Sequence, residues 1–242
     1  MTILGVIGGS GLDQFEGLEI THREVMATPY GDPSGPLVVG QFKGQEMIFL
    51  PRHGPGHAIP PHLINYRANL WALREAGATQ VIGIAAVGGI TARMGPGVIC
   101  IPDDVIDYTW GREHTIFERD HVEHVDFTEP YCGVLRASLL EAAAKAGIAA
   151  VDGGVYGATQ GPRLESPAEI ARLERDGCDL VGMTGMPEAG LARELGLCYA
   201  CCTMVVNWAA GKGEGPITME EIGHHLRSSI TSAKKLLAHI SL

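Results

Sequence analysis

Positive charge is scarce in this sequence. Its 242 residues carry 18 Lys+Arg against 28 Asp+Glu, a formal net charge of −10 with histidine neutral, and no basic cluster stands out. Duplex nucleic acid and anionic membrane surfaces both require a basic face, so neither is expected as a partner. A single small anion stays open, because a few local donors overcome a distant net charge that salt screens. Long apolar runs are missing too. The two longest uncharged stretches, Ala76–Ala92 and Leu195–Gly211, are 17 residues each and interrupted by glycine, short of the ~20 that a membrane-spanning helix needs. The first residues lack the basic start, apolar run and cleavage site of a secretory leader, which leads to the expectation of a cytoplasmic protein.

A second cysteine pair is also lacking. Six cysteines stand at positions 100, 132, 178, 198, 201 and 202, and only Cys198-Tyr-Ala-Cys201-Cys202 forms a close group. Zinc would need two more ligands at suitable spacing. A redox pair normally opens a helix, whereas this one lies in an apolar run of strand character. Buried, reduced thiols are the expectation. No Pro/Ser linker, charge block or internal repeat divides the chain, so residues 1–242 read as a single domain.

What is abundant is glycine, 33 of 242 residues, about twice the usual ~7%. That excess implies tight turns and close backbone approaches. Between the glycines a strand, loop, helix grammar repeats. Thr2–Ile7, Gln80–Ala86, Gly154–Thr159, Asp179–Met183 and Cys198–Val206 read as strands, and Leu37–Phe42 with Glu46–Leu50 as a hairpin. Asn65–Ala76, Val134–Ala146, Ser166–Asp176, Pro187–Leu195 and Thr218–Ile240 read as helices, several closed by a following glycine. The last carries one apolar stripe: Ile222, Leu226, Ile230, Ala233, Leu237 and Ile240. The predicted fold is α/β, a mixed central β-sheet flanked by helices. Asp103–Tyr131, charged and weakly periodic, reads as a long surface loop or subunit contact.

In such sheets ligands gather beyond strand ends, and five loops there carry polar or glycine-rich sequence. Gly8-Gly9-Ser10-Gly11 matches neither the dinucleotide nor the Walker pattern, but its backbone N–H groups and the Ser10 hydroxyl can converge on an anion. Arg52-His53-Gly54 offers a planar fork for phosphate and a neighbouring donor or proton-sharing group. The spacing of His53, His57 and His62 in a Pro/Gly loop ranks a metal site below an anion site. Thr159–Ser166 presents Glu165 either to the next helix dipole or to a ligand. Val181–Glu188 sets Thr184 near a helix N-terminus, as an anion donor or a simple cap. Finally, Asn207, at the end of an apolar strand, must find partners, either its own turn or a ligand with paired donor and acceptor edges. Together these loops suit a neutral heterocycle plus phosphate.

The series Gly-Gly-Ser-Gly, Arg-His-Gly, Asn65-Tyr-Arg-Ala-Asn-Leu-Trp-Ala-Leu, Gly161-Pro-Arg and Gly182-Met-Thr-Gly-Met-Pro-Glu resembles, in this order, the methylthioadenosine phosphorylase branch of the trimeric purine nucleoside phosphorylases. The resemblance implies phosphorolysis of a purine nucleoside, with inorganic phosphate as co-substrate and no metal or organic cofactor. By position it implies Ser10, Arg52, His53, Ala86 and Thr184 as phosphate ligands, Met183 against the ribose and Leu164 against the base. His53 and Asn207 become the catalytic candidates, and Trp208 joins the substrate-binding set. Methylthioadenosine enzymes meet adenine with two aspartates, at positions that are Asn207 and Ala209 here. Asparagine can donate to a 6-oxo group, and Glu165 resembles the glutamate that accepts from N1–H of a 6-oxopurine. Met219 falls where inosine enzymes place a histidine for the 5′-hydroxyl, and its thioether suits a methylthio group. The expected substrate is therefore a 6-oxopurine nucleoside with a 5′-methylthio end. Methylthioadenosine and inosine or guanosine are the alternatives, and a non-catalytic nucleoside-binding protein is the alternative from another class. The resemblance also implies a homotrimer whose neighbouring subunit helps to close each site.

Overall fold

The longest apolar runs of the sequence become the two central strands of one mixed sheet. The computed structural model describes residues 3–241 except Asp13 and Arg119. Its strands are β1 (Ile3–Gly8), β2 (Glu19–Glu24), β3 (Leu37–Phe42), β4 (Gln45–Pro51), β5 (Ala78–Gly89), β6 (Ile99–Ile101), β7 (Asp104–Asp107), β8 (Ala150–Asp152), β9 (Val155–Ala158), β10 (Leu180–Gly182) and β11 (Cys198–Trp208). Helices α1 (Tyr66–Glu75), α2 (Gly133–Lys145), α3 (Pro167–Arg175), α4 (Gly185–Glu194) and α5 (Met219–Leu237) flank them. The strand order is β2-β3-β4-β1-β5-β10-β9-β7, with β11 pairing β5 and β6, and β6 pairing β8.

Alternation of side chains sorts the core to two faces. On β5, Val81, Ala85 and Val87 join a cluster with Leu70 and Leu73 of α1 and Leu191 of α4. Ile82 and Ile84 turn the other way, to Leu139 of α2 and Leu236 of α5. Strands covered on both faces read as continuous apolar runs, which is why β5 and β11 are visible in the sequence. Helices α1, α3 and α5 start at side-chain caps. Asn65 accepts from the Ala68 N–H, and Ser166 with Glu169 forms a reciprocal capping box before α3.

Several expectations are corrected. The strand begun at Gln80 extends from Ala78 to Gly89, and the last helix stops at Leu237 rather than Ile240. Asp103–Tyr131 is not wholly a loop, because it opens with β7, paired in parallel with β9. The thiols are not all reduced: Cys132 and Cys198 form a disulfide, while Cys100, Cys178, Cys201 and Cys202 are free and buried. The Cys132 N–H donates to the Tyr199 carbonyl at 2.7 Å, which brings the two cysteine Cα atoms to 5.2 Å, within bridging range. Their separation of 66 residues gives no local sign of it. No helix among the described residues is long and apolar enough to cross a membrane.

Candidate active site

Two groups of strands point their carboxyl ends at one another. β1 runs parallel to β4 and β5, and β5 parallel to β11. β10 runs against β5, with Val181 opposite Gly88 and Leu180 opposite Gly89, and parallel to β9. Where the two groups meet, a cavity of about 670 Å³ opens, within the ~300–1,000 Å³ usual for small-molecule sites. Ser10, Arg52, His53, Ala86, Leu164, Glu165, Met183, Thr184, Asn207, Ala209 and Met219 all line it. Trp208 does not. Asn207 and Ala209 occupy the inward positions, so Trp208 between them turns toward Gly95 and Gly213. A bulge at Val206, where β11 shifts register against β5, sets Asn207 opposite Gly88 at the cavity wall.

Arg52 follows β4 and is 1% exposed. Its Nε and Nη2 donate to the two oxygens of Glu188, each at 2.7 Å, and Nη1 donates to the Ile84 carbonyl at 2.8 Å. Glu188 accepts a further bond from the Tyr199 hydroxyl at 2.7 Å. Burial opposes the arginine charge, but Glu188 beside it more than offsets this and raises its pKa. The fork expected for phosphate is thus taken by a carboxylate. Of the five guanidinium N–H groups, two remain for a ligand. Two glycines create the space for this arrangement. A Cβ on Gly9 would lie 2.5 Å from the Ile84 carbonyl and 3.0 Å from Arg52 Nη1, and one on Gly83 would overlap the Tyr199 hydroxyl.

His53 faces the cavity with its tautomer fixed. Its Nδ1 lies 2.8 Å from the Ile59 carbonyl, which can only accept, so Nδ1 carries the proton. Burial, with Arg52 alongside, pushes its pKa down to about 4. The imidazole is therefore neutral near pH 7, and Nε2 presents a lone pair. His57 stacks against it with ring centroids 4.2 Å apart. Among the described residues no three His, Cys, Asp or Glu side chains converge as a metal ion requires.

The cavity lining also carries an amide and a carboxylate. Asn207 Nδ2 donates to the Trp208 carbonyl at 2.7 Å, a contact only the NH2 end can make. Its Oδ1 and its second N–H are left for a ligand. Glu165 Oε1 accepts from the Thr159 hydroxyl at 2.6 Å, which steadies the carboxylate after β9. Thr184 precedes α4 and is 6% exposed, yet its hydroxyl makes no capping bond. Its N–H donates to the Tyr156 hydroxyl at 3.4 Å. Met183 lies over Gly161, and Leu164, Ile217, Met219 and Ile222 form an apolar rim.

Glu188 and Tyr199, which hold Arg52 in the cavity wall, were not among the site residues expected from the sequence. A glutamate within the otherwise apolar start of α4 is the signal that was available, since a buried carboxylate must have a partner.

The Phosphorylase superfamily profile matches residues 3–241. A probable S-methyl-5'-thioinosine phosphorylase of Pseudomonas syringae pv. tomato is 55% identical over 242 residues, covering 99% of this chain and 98% of that protein. A probable 6-oxopurine nucleoside phosphorylase of Moorella thermoacetica is 45% identical over 239 residues, 95% of this chain and 91% of that one. The crystal structure of methylthioadenosine phosphorylase from Schistosoma mansoni in complex with adenine superposes with a TM-score of 0.94 at 32% identity, covering 99% of this chain and 90% of that one. With a profile match from end to end, relatives of equal length and a shared sheet whose strand ends surround one cavity, the chain belongs to the phosphorylase superfamily.

Proposed function

We propose that this protein cleaves S-methyl-5'-thioinosine with inorganic phosphate, releasing hypoxanthine and 5-(methylthio)ribose 1-phosphate. The observation that carries this reading is the fixed orientation of Asn207 in the cavity that Glu165 also lines. With one N–H held on the Trp208 carbonyl, the amide offers Oδ1 to a protonated N7 and its second N–H to a 6-oxo group. Glu165, steadied by Thr159, accepts from N1–H. An adenine base has no N1–H and offers a donor at position 6, so it mismatches both groups. Relatives named for methylthioinosine and for 6-oxopurines, at 55% and 45% identity, support the same base class.

Chemistry follows from differential stabilisation of the transition state. As the N9–C1′ bond breaks, the ribose becomes oxocarbenium-like and the purine gathers negative charge. The Asn207 N–H on the 6-oxo group meets that charge from a position already set. A proton from solvent goes to N7, where Oδ1 accepts the new N–H, and Glu165 holds N1–H so that the base keeps this orientation. Phosphate, held by the Ser10 and Thr184 hydroxyls, backbone N–H groups and the two free Arg52 N–H groups, attacks C1′. Neutral His53 accepts at Nε2, so it pairs with the P–OH of a protonated phosphate. No side chain acts as a covalent nucleophile. Metal and organic cofactors have no step in this scheme. Met219, Ile217 and Ile222 offer the 5′ end an apolar surface that fits a methylthio group. The same reading includes a cytoplasmic homotrimer in which a neighbouring subunit covers the open rim.

The test is a phosphorolysis panel of methylthioinosine, methylthioadenosine, inosine and adenosine, run on the unaltered protein and on Asn207→Asp. The unaltered protein should favour methylthioinosine by kcat/KM. Aspartate would set an oxygen against the Trp208 carbonyl and remove the donor for the 6-oxo group, so the methylthioinosine over methylthioadenosine ratio should fall at least about tenfold. An unchanged ratio would remove Asn207 from base recognition. Tight nucleoside binding without turnover would make the protein a binding module.

A further inference from the structure

Between β7 and α2 the described residues from Tyr108 to Cys132 form no helix or strand. From this segment the half-buried Arg112 reaches back to two turns at the cavity. Its Nη2 donates to the Thr159 and Gln160 carbonyls at 3.2 and 2.8 Å, and its Nε to Gln160 Oε1 at 3.1 Å. Its Nη1 donates to the Met183 and Met186 carbonyls at 2.8 and 2.7 Å, and to the Tyr66 hydroxyl at 3.2 Å. Five N–H groups thus serve six acceptors, four of them backbone carbonyls. The Thr159–Gln160 pair opens the turn after β9, which carries Glu165. The Met183–Met186 stretch leads from the end of β10 into the start of α4, where Met186 is still non-helical, and carries Thr184.

We propose that Arg112 is a positioning residue: it fixes the separation of these two turns, and so aligns the base held by Glu165 with the ribose and phosphate held by Met183 and Thr184. The proposal rests on reading the cavity as a nucleoside and phosphate site. A planar guanidinium suits the task because its donors leave in fixed directions toward both turns at once. An ammonium has only three donors on one point and cannot hold all four carbonyls. Alignment of this kind acts on the transition state more than on binding, because small misplacements of reacting groups cost rate.

The test compares Arg112→Ala and Arg112→Lys with the unaltered protein in steady-state phosphorolysis of methylthioinosine, alongside thermal melts. Arg112→Ala should lose about 100-fold in kcat with a much smaller change in nucleoside KM. Arg112→Lys should lie between the two. Guanidinium chloride, below concentrations that unfold the protein, should restore part of the Arg112→Ala activity and leave the unaltered enzyme unchanged. A kcat within about twofold of the unaltered protein overturns the proposal. So does a loss that tracks unfolding in both variants and that guanidinium does not relieve, since the residue would then serve stability alone. If the unaltered protein turns over no nucleoside in the panel, the functional reading itself fails and the proposal falls with it.

Discussion

Arg52 and Met219 line the same cavity in opposite surroundings. Arg52 is 1% exposed, closed in by Glu188, Tyr199 and the Ile84 carbonyl, while Met219 is 77% exposed at the first turn of α5. Leu164, across the rim, is 44% exposed. The floor belongs to the sheet, so its geometry is inherited from strand register, and a charge there survives only with its countercharge. The rim is made of apolar side chains on a loop and a helix start, free to change without disturbing the core. Under the proposed function, such a site keeps its phosphate chemistry constant and leaves the 5′ end of the substrate adjustable.

Breaking the floor should have the largest effect. Glu188→Ala leaves Arg52 buried without its countercharge, at a cost of about 3–5 kcal/mol, or a melting temperature lower by roughly 10 °C. The double variant Arg52→Met with Glu188→Leu should recover most of that stability and none of the phosphorolysis, because an apolar pair can replace a buried ion pair. Urea or thermal unfolding decides the point, and a loss under about 1 kcal/mol in the single variant would show that the floor does not depend on the pair.

His53 probes the boundary between floor and solvent. The unfolded chain takes up its proton near pH 6.5 and the folded one only near about 4, so the unfolded state binds more protons within that window. Stability must then fall as the pH drops from about 6.5 to about 4, and no further below it, by up to about 3 kcal/mol from this group. Unfolding of the unaltered protein and of His53→Gln across this range should show the variant losing less. Parallel curves would mean that the imidazole titrates normally.

The smallest effect belongs to the rim. Met219→Ala should change stability by no more than about 0.5 kcal/mol. It should raise KM for methylthioinosine several-fold and leave inosine unaffected. Equal changes for both nucleosides would take Met219 away from the 5′ end and weaken the contrast with the floor.

Much of this was legible because the signals are local. Glycine turns after apolar runs marked Ser10, Arg52 and Thr184, and caps at Asn65 and Ser166 marked helix starts. β2 escaped because all but its last residue is exposed and it shows no alternation, and β6 and β8 because they have three residues each. Trp208, expected in the substrate-binding set, is turned away from the cavity by strand alternation. The partners of Arg52, Arg112 and Cys132 escaped for one reason: each lies at a distance in sequence where neither spacing nor periodicity reports it.

The Arg52–Glu188 pair spans 136 residues. A chain emerging from synthesis therefore carries the Arg52 cation long before the carboxylate that lets it be buried. Until α4 and β11 have been made and docked, Arg52 stays hydrated and the floor does not exist. Contacts of such long range form late and slowly. Under the proposed function, phosphate binding is a property of the finished chain alone, and inorganic phosphate, by holding only that state, would bias maturation toward it.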